Sequence, residues 1–111
     1  MDVVARLIKL KPDRQQTVTE WATTIMARKD EALATLRNEG VALESWFQVT
    51  VEGVEYLLCF MRADSIQKAT GTAAESTHAI DVFHRQFKQD AWVKGSAIDA
   101  RLLVDLVNDS R

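Results

Sequence analysis

The sequence predicts a single α+β domain whose elements follow the order β-α-β-β-α-β. The chain has 111 residues, which is the length of one domain with one core. Two runs of alternating apolar residues flank Glu52-Gly53 near its centre, and this pattern is typical of a β-hairpin. Apolar residues recur every three or four positions on both sides of that hairpin, as in amphipathic helices. Together these observations predict one domain spanning residues 1–111.

The first half of the chain supplies a strand, a long helix and the hairpin. Residues 3–10 are rich in aliphatic side chains and precede Lys11-Pro12-Asp13, a sequence that ends a strand. Residues 13–38 carry a helical stripe, and Gly40 follows as a stop signal. Residues 41–51 and 54–63 form the hairpin, because the glycine between them suits the positive φ of a two-residue turn.

The second half supplies another helix and another strand. Asp64 and Gln67 form a capping box, at which the second helix begins. Its apolar stripe continues to about Lys88, with Gly71 as its weak point. Residues 97–107 form the last strand. With both crossover helices on one side of a four-stranded antiparallel sheet, this order is the ferredoxin-like βαββαβ fold.

The hairpin register distributes side chains between two faces of the sheet. Val51 opposes Val54 across the turn, and every second residue along each strand shares their face. We expect this more uniformly apolar face to lie under the helices; it comprises Ser45, Phe47, Val49, Val51, Val54, Tyr56, Leu58 and Phe60. The other face carries Trp46, Leu57, Cys59 and Met61 beside charged residues. Because such a patch is too apolar for water, we expect a homodimer packed sheet to sheet through that face.

Several short motifs accompany this order of elements. Lys11-Pro12 follows the first strand, Trp21 lies in the first helix, and residues 31–47 read EALATLRNEGVALESWF; the second helix carries Ser76, His78, Asp81 and His84. These features resemble a bacterial family of small ferredoxin-like proteins of unknown function within the dimeric α+β barrel superfamily. That superfamily includes cofactor-independent monooxygenases, haem-degrading enzymes and rhamnose mutarotase. The resemblance implies a dimeric α+β barrel, and it carries no catalytic role over to particular residues.

A ligand pocket is expected between the helices and the sheet. The inward stripe of the second helix changes from small residues to phenylalanine, which either brings helix and sheet close together or leaves a cavity. His84 lies near this stripe and is the candidate general base, while Tyr56 or Lys29 would polarise a carbonyl or hydroxyl group. Lys29 interrupts the stripe of the first helix and either extends to solvent or faces a ligand. The candidate ligand-binding residues are Lys29, Ser45, Ser76, Trp21 and Phe83.

The sequence predicts neither a metal site nor a cofactor. His78, Asp81 and His84 would have to converge to about 2 Å from one ion, whereas residues six apart on one helix diverge. We expect His78 to be solvated and Asp81 to pair with Arg85. The four glycines are isolated, so a phosphate-binding loop is not expected. Cys59 is the only cysteine, and we expect it to be a small buried side chain.

Composition disfavours several kinds of partner. The net charge of -2 comes from 14 basic and 16 acidic residues scattered along the chain, so binding to nucleic acid is not expected. No apolar run approaches the roughly 20 residues of a membrane span, so a membrane is not expected either. The first ten residues lack the pattern of a signal peptide, which favours a cytoplasmic protein.

Three functions are compatible with the sequence. The first is a binding protein for a small hydrophobic or amphiphilic ligand held between sheet and helices. The second is a cofactor-independent enzyme of the monooxygenase or mutarotase type, with His84 as general base. The third is a structural dimer without a ligand. The fold does not choose among them, because ferredoxin-like domains host many activities.

Overall fold

The computed structural model describes residues 1–108 and confirms the predicted ferredoxin-like α+β fold. The strands form one antiparallel sheet in the order β2-β3-β1-β4. They are β1 (Asp2–Lys9), β2 (Val41–Val51), β3 (Val54–Ala63) and β4 (Ile98–Asp99). The helices are α1 (Gln15–Ala27), α2 (Lys29–Glu39), α3 (Ile66–Glu75) and α4 (Ala79–Ala91). The helices pack over one face of the sheet, and the other face is open.

Each of the two predicted helices is divided in the structure. The first breaks at Arg28, whose φ of -111° and ψ of 36° are not helical. The second breaks at Ser76, whose φ of -64° and ψ of 137° are extended, and not at Gly71, which lies within α3. The expected positions of the helices are therefore confirmed, but each pair of helices meets at a junction that the sequence pattern did not reveal.

Side chains of α4 stabilise the junction between α3 and α4. The Arg85 guanidinium donates hydrogen bonds of 2.8 and 2.6 Å to the carbonyl oxygens of Ala73 and Ser76. These carbonyls lie at the end of α3, where a cation is favourable. The Ser76 hydroxyl donates to the Asp81 carboxylate. The expected Asp81–Arg85 pair is wrong, because both side chains bind partners at the junction instead.

The hairpin register is confirmed. Its turn residues have positive φ, 50° at Glu52 and 77° at Gly53, as the two-residue turn requires. Val51 pairs with Val54. The start of the second helix differs slightly from the expectation, because Ser65 and not Asp64 caps α3.

The assignment of the two sheet faces was wrong. Leu57 and Cys59 are only 2% and 7% exposed, whereas Phe47 on the opposite face is 53% exposed. We define the covered face by Arg6, Ile8, Glu44, Trp46, Leu57, Cys59 and Met61, and the open face by Ala5, Leu7, Ser45, Phe47, Val49, Val51, Tyr56, Leu58 and Phe60. Large apolar side chains lie under the helices even though charged residues interrupt them. Greater apolar content therefore did not identify the covered face.

The last strand is shorter than expected. Of the residues expected in this strand, only Ile98–Asp99 forms strand pairs with β1. The Ala100 N–H then donates a 2.8 Å hydrogen bond to the Ala5 carbonyl. Residues 101–108 lie outside helices and strands. A salt bridge between Arg62 and Asp105 holds this C-terminal segment against the end of the open face. Its apolar side chains are between 54% and 89% exposed: Leu102, Leu103, Val104, Leu106 and Val107.

The interior beneath the helices contains two separate apolar clusters. The larger cluster joins α1 and α4 to the sheet and consists of Leu10, Val18, Trp21, Leu57, Phe87 and Ala91. The smaller cluster joins α2 and α3 to the sheet and consists of Val41, Ala63 and Ala69, with Leu36, Met61 and Ile66 packed against it. Leu57 and Met61 of β3 therefore belong to different clusters. Cys59 lies between them on the same strand and belongs to neither.

Candidate functional site

The region between the two clusters contains ionisable side chains whose charges act on one another. Cys59 lies at its base, where it pairs with Arg6 on β1 and with Trp46 on β2. The Lys88 ammonium approaches from α4, and its charge acts on Cys59 and on Glu44. We call this region the central gap and define it by its ionisable side chains, which are Glu39, Glu44, Cys59, Asp81, His84 and Lys88.

Aromatic rings lie where the central gap meets the larger cluster, and we call the rings of Trp21, Trp46, Phe87 and Trp92 the aromatic wall. Trp21 stacks on Phe87 with ring centroids 4.4 Å apart and meets Trp46 edge-on at 5.4 Å. Trp46 lies 5.9 Å from Trp92, and Nζ of Lys88 lies 5.0 Å from the centroid of the Trp92 ring. This cation–π contact favours the ammonium form of a partly desolvated lysine. The buried Trp92 indole N–H has no hydrogen-bond partner in the part of the chain that the structure describes.

Glu44 and Lys88 are opposite charges that act on each other in the central gap. Burial raises the pKa of Glu44, and the Lys88 charge and the Trp46 indole N–H oppose that shift. Burial lowers the pKa of Lys88, and the Glu44 charge opposes that shift. Within residues 1–108, neither side chain takes part in a salt bridge. Both groups exchange protons nearer to neutral pH than they would in water, which suits acid–base chemistry.

Other titratable groups border the same gap. Burial, followed by the charges of Asp81 and Glu44, raises the pKa of Glu39 to about 7. Burial raises the pKa of the Cys59 thiol to about 12, so this cysteine is not a reactive nucleophile. The structure of residues 1–108 contains no group of three or more His, Cys, Asp or Glu side chains that could hold a metal ion. Glu39, Glu44 and Lys88 can transfer protons in the gap, and together with His84 they can form hydrogen bonds there.

His84 connects the aromatic wall with the central gap. Its Nδ1 accepts a 3.0 Å hydrogen bond from the Trp21 indole N–H, and its ring centroid lies 5.5 Å from that of Trp46. Burial, assisted by the charges of Lys88 and Arg85, lowers the pKa of His84 to about 3. The imidazole is therefore neutral near pH 7.

The structure divides the residues expected in the site between the two sides of the sheet. His84, Trp21 and Phe83 lie on the helices above the covered face, and Phe83 packs against the larger cluster. Tyr56 and Ser45 lie on the open face. The sheet thus separates Tyr56 from His84, and the expected catalytic pair is not brought together. This error follows directly from the inverted assignment of the faces.

The two remaining expected residues lie away from the gap or at its border. Lys29 begins α2 just after the break at Arg28 and is exposed, so it does not enter the space between helices and sheet. Ser76 ends α3 and contacts the border of the gap only through its hydrogen bond to Asp81. Neither residue is in a position to anchor a ligand in the gap.

Sequence reasoning missed Glu44, Trp46 and Lys88. Glu44 and Trp46 are on the covered face, which was expected to lie outside the helices. One signal for Lys88 was present in the sequence, because it follows His84 by four residues. Residues four apart lie on the same side of a helix, so an inward His84 places Lys88 near the sheet as well.

Surface grooves also lie outside the central gap. A groove of about 240 Å³ runs between α1 and α4 over Trp21 and Phe87. Another of about 390 Å³ lies between the open face and the beginning of the C-terminal segment, next to Phe60 and Leu103. Neither groove is lined by the residues that define the central gap. The positions of the titratable groups, and not groove volume, therefore identify the candidate site.

Comparison with known proteins assigns the chain to a family. The family of unknown function DUF6176 matches residues 1–111. The chain belongs to DUF6176. No curated protein matches the sequence of this DUF6176 chain significantly. Within residues 1–108, no helix has the length and apolar character needed to cross a membrane.

The fold of the DUF6176 chain is similar to that of an L-rhamnose mutarotase. The crystal structure of this enzyme from Formosa agariphila matches with a TM-score of 0.62 over 96% of this chain and 100% of that chain. The two sequences are 16% identical. At this identity the similarity establishes the fold alone, and it agrees with the α+β fold expected from the sequence.

Proposed function

We propose that the central gap binds a small hydroxylated ligand of the monosaccharide class and interconverts its two ring anomers, which is a mutarotase reaction. The observation that carries this proposal is the placement of Glu44 and Lys88, which share a partly buried space without forming a salt bridge. The Trp46 indole N–H and the Trp92 ring stabilise these charges, but burial outweighs both contacts in the net pKa shifts, so further hydrogen bonds from a bound molecule would be favourable. A ligand with several hydroxyl groups supplies them.

The aromatic wall and the charged groups suit the two sides of a sugar ring. The rings of Trp46 and Trp92 offer apolar surface for the C–H face of a pyranose, and the Trp92 indole N–H is a free buried donor. Glu44 accepts hydrogen bonds from hydroxyl groups, and Lys88 donates to them. These groups suit a ligand that carries several hydroxyl groups, which narrows the amphiphilic ligand expected from the sequence to a hydroxylated one.

Mutarotation requires one proton acceptor and one proton donor. The acceptor removes the proton of the anomeric hydroxyl while the donor protonates the ring oxygen, and the bond between the anomeric carbon and the ring oxygen breaks. Rotation of the resulting open-chain carbonyl compound and closure on its other side give the second anomer. Glu44 is the acceptor and the Lys88 ammonium the donor, since the pKa of Glu44 is raised and that of Lys88 is lowered. The reaction consumes no co-reactant.

The structural neighbour supports the choice of reaction. It is named as an L-rhamnose mutarotase and shares the fold of this chain over nearly its whole length. Its activity does not transfer through the fold, because one fold hosts many chemistries. The proposal therefore depends on Glu44 and Lys88, and the neighbour suggests which sugar to test first.

The proposed assembly is a homodimer in which the open faces of two copies pack together. Phe47 and Val51 are 53% and 47% exposed in the single chain, and Leu58 and Phe60 lie beside them. An apolar face of this kind is characteristic of a surface that a partner covers. The interface is thus on the face opposite to the one expected from the sequence, and it leaves the central gap free for a ligand.

Exchange between the anomers of L-rhamnose, measured by NMR saturation transfer at pH 7, tests the proposed reaction. We expect the wild-type protein to accelerate exchange, and we expect Glu44→Gln and Lys88→Met each to lose about 100-fold or more of that acceleration. Glu52→Gln in the hairpin turn and the exposed Lys29→Met make the same chemical changes outside the gap and should retain it. Wild-type activity in both gap variants would contradict the proposal. It would also be contradicted if the wild-type protein did not accelerate anomer exchange of L-rhamnose or of any other reducing monosaccharide.

A further inference from the structure

The hydrogen bond between Trp21 and His84 determines which nitrogen of the imidazole carries the proton. An indole N–H can only donate a hydrogen bond. His84 Nδ1 lies 3.0 Å from Trp21 Nε1 and must therefore present a lone pair. In a neutral imidazole the proton then resides on Nε2, which becomes a donor.

The surroundings of His84 oppose a second proton. A proton on Nδ1 would place two N–H donors against each other. Lys88 and Arg85 on the same helix contribute positive charge, whereas α1 and β2 present the neutral rings of Trp21 and Trp46. The ring is also stacked near Phe87, with centroids 6.4 Å apart, so the cation would lose much of its hydration.

The Nε2 atom is available to a ligand. It makes no hydrogen bond within residues 1–108. A fully buried atom of these residues without a partner would be the Trp92 indole nitrogen and not this one, so Nε2 is in contact with solvent. The two ring nitrogens point in divergent directions, so Nε2 faces away from Trp21. A donor that is fixed in orientation and accessible to solvent is suited to binding an oxygen acceptor.

We propose that Trp21 holds His84 as a neutral hydrogen-bond donor, whose Nε2–H binds an acceptor oxygen of the ligand and does not remove a proton from it. Trp21 is thus a positioning residue, and His84 differs from the general base expected from the sequence. This role rests on the proposed mutarotase function, in which His84 donates a hydrogen bond to the ring oxygen of the closed sugar or to the carbonyl oxygen of its open form. Proton removal then belongs to Glu44.

The protonation state can be measured without any ligand. Long-range proton–nitrogen NMR of uniformly ¹⁵N-labelled protein distinguishes a protonated ring nitrogen from one with a lone pair. His78→Gln leaves His84 as the only imidazole, because the chain contains two histidines. We expect Nδ1 without and Nε2 with a proton from pH 8 down to pH 5. A proton on Nδ1, or a charged ring at pH 6, would overturn the proposal.

Removal of the indole donor tests the role of Trp21. Trp21→Phe keeps an aromatic ring but cannot donate, so we expect His84 to populate both neutral forms and to gain a proton at higher pH than in the wild type. Phe83→Leu perturbs the same cluster without touching this hydrogen bond and should leave the nitrogen signals unchanged. An unchanged His84 in Trp21→Phe would show that the indole does not control the proton. If this variant does not fold, the wild-type spectrum still decides the tautomer.

Activity separates the donor role from the base role. The amide of glutamine can donate in place of Nε2–H but has no proton-accepting nitrogen, whereas leucine can do neither. We expect kcat/KM of His84→Gln to exceed that of His84→Leu by about tenfold, the value of one hydrogen bond. Equal losses in both variants would refute donation to the ligand. Absence of mutarotase activity in the wild type would overturn the proposed function, whereas the NMR result would still decide whether Trp21 fixes the proton on Nε2.

Discussion

The two faces of the sheet differ in a way that contradicts the expectation that the helices cover the more apolar face. The covered face contains Glu44 and Arg6 among its apolar residues, whereas the apolar residues of the open face run almost without interruption through Phe47, Leu58 and Phe60. The face with charges is nevertheless the one beneath the helices. The chain therefore buries ionisable groups while a more apolar surface stays uncovered.

This difference has a physical explanation if each face has a separate partner. An open face that packs against a second copy is buried in the dimer and needs uniform apolar character. A covered face that lines a ligand site needs polar groups, whose desolvation is offset by the packing of the two flanking clusters. In the proposed function, the buried charges thus belong to a ligand site on one side of the sheet, and the exposed apolar surface belongs to a dimer interface on the other.

The largest expected effect comes from neighbouring leucines on β3 that point to opposite faces. Leu57 is 2% exposed in the larger cluster, so we expect Leu57→Ala to lower the free energy of unfolding by about 2–5 kcal/mol. Leu58 is only half-buried in the single chain, and Leu58→Ala should cost much less at submicromolar protein. At high protein concentration the two losses should converge, because the proposed dimer would bury Leu58. Urea unfolding at both concentrations measures the difference.

Concentration dependence decides how this result is interpreted. A small Leu58→Ala effect that does not change with protein concentration would mean that no second copy covers the open face. A larger effect for Leu58 than for Leu57 at every concentration would show that the faces are assigned wrongly.

The next effect concerns assembly and uses adjacent residues on β2. Phe47 and Gln48 are both exposed in the single chain, but they lie on opposite sides of the sheet. Phe47→Lys places a charge in the proposed interface, and we expect the dimer dissociation constant to rise by about 100-fold or more. Gln48→Lys adds the same charge beside Glu55 and should leave the dimer unchanged. Sedimentation equilibrium distinguishes the two variants, and equal behaviour of both would contradict the proposed interface.

Local patterns in the sequence were sufficient for most of the fold. The Glu52-Gly53 turn determined the hairpin register, because a two-residue loop allows only one pairing. The register also determined which residues share a face, but not which face the helices cover. That choice depends on long-range packing, such as the contact between Trp21 and Trp46 across 25 positions of sequence. Glu44 and Lys88 could not be recognised as neighbours without it.

The end of the chain shows a second limit of local patterns. The alternation in residues 97–107 predicts a strand, yet only two residues pair with β1. A strand needs a neighbour with free backbone groups as well as a suitable pattern. His84 shows the opposite case, since its inward position was readable from helical periodicity, whereas its hydrogen bond to Trp21 depends on the packing of α1 against α4.

A smaller expected effect is the pH dependence of folding stability, to which His84 and Glu39 above the covered face contribute. The pKa of His84 falls from 6.5 to about 3 on folding, so the unfolded chain binds a proton more readily, and stability is lost as pH falls below about 6.5. The pKa of Glu39 rises from 4.5 to about 7, so its contribution has the opposite sign and stability is lost as pH rises from about 4.5 to 7.

Variants separate these two slopes. Relative to His84→Gln, the wild type should lose up to about 1.4 kcal/mol per pH unit between pH 6.5 and 4. Relative to Glu39→Gln, it should lose less than this per unit between pH 4.5 and 7, because Glu39 is only half-buried. Urea unfolding at half-unit pH steps measures both slopes. Parallel curves for the wild type and His84→Gln would mean that His84 is not held in its neutral form.

The smallest expected effect lies at the edge of the open face. The Arg62–Asp105 salt bridge holds the C-terminal segment there, with side chains 18% and 32% exposed. In a single chain, Asp105→Asn should cost about 0–1 kcal/mol, since such pairs are screened by water. Hydrogen exchange at the Ala100 N–H should nevertheless accelerate, because this group bonds to Ala5 immediately before the segment.

The same variant can sharpen the comparison of the two faces. If the second copy packs over the C-terminal segment as well as over the sheet, the salt bridge is further desolvated in the dimer and its loss weakens association. Asp99→Asn provides the matched control, because it makes the same chemical change in the Arg6–Asp99 salt bridge on the covered face. A loss of dimer affinity with Asp105→Asn alone would extend the interface to the C-terminal segment. Equal and negligible losses would confine it to the strands.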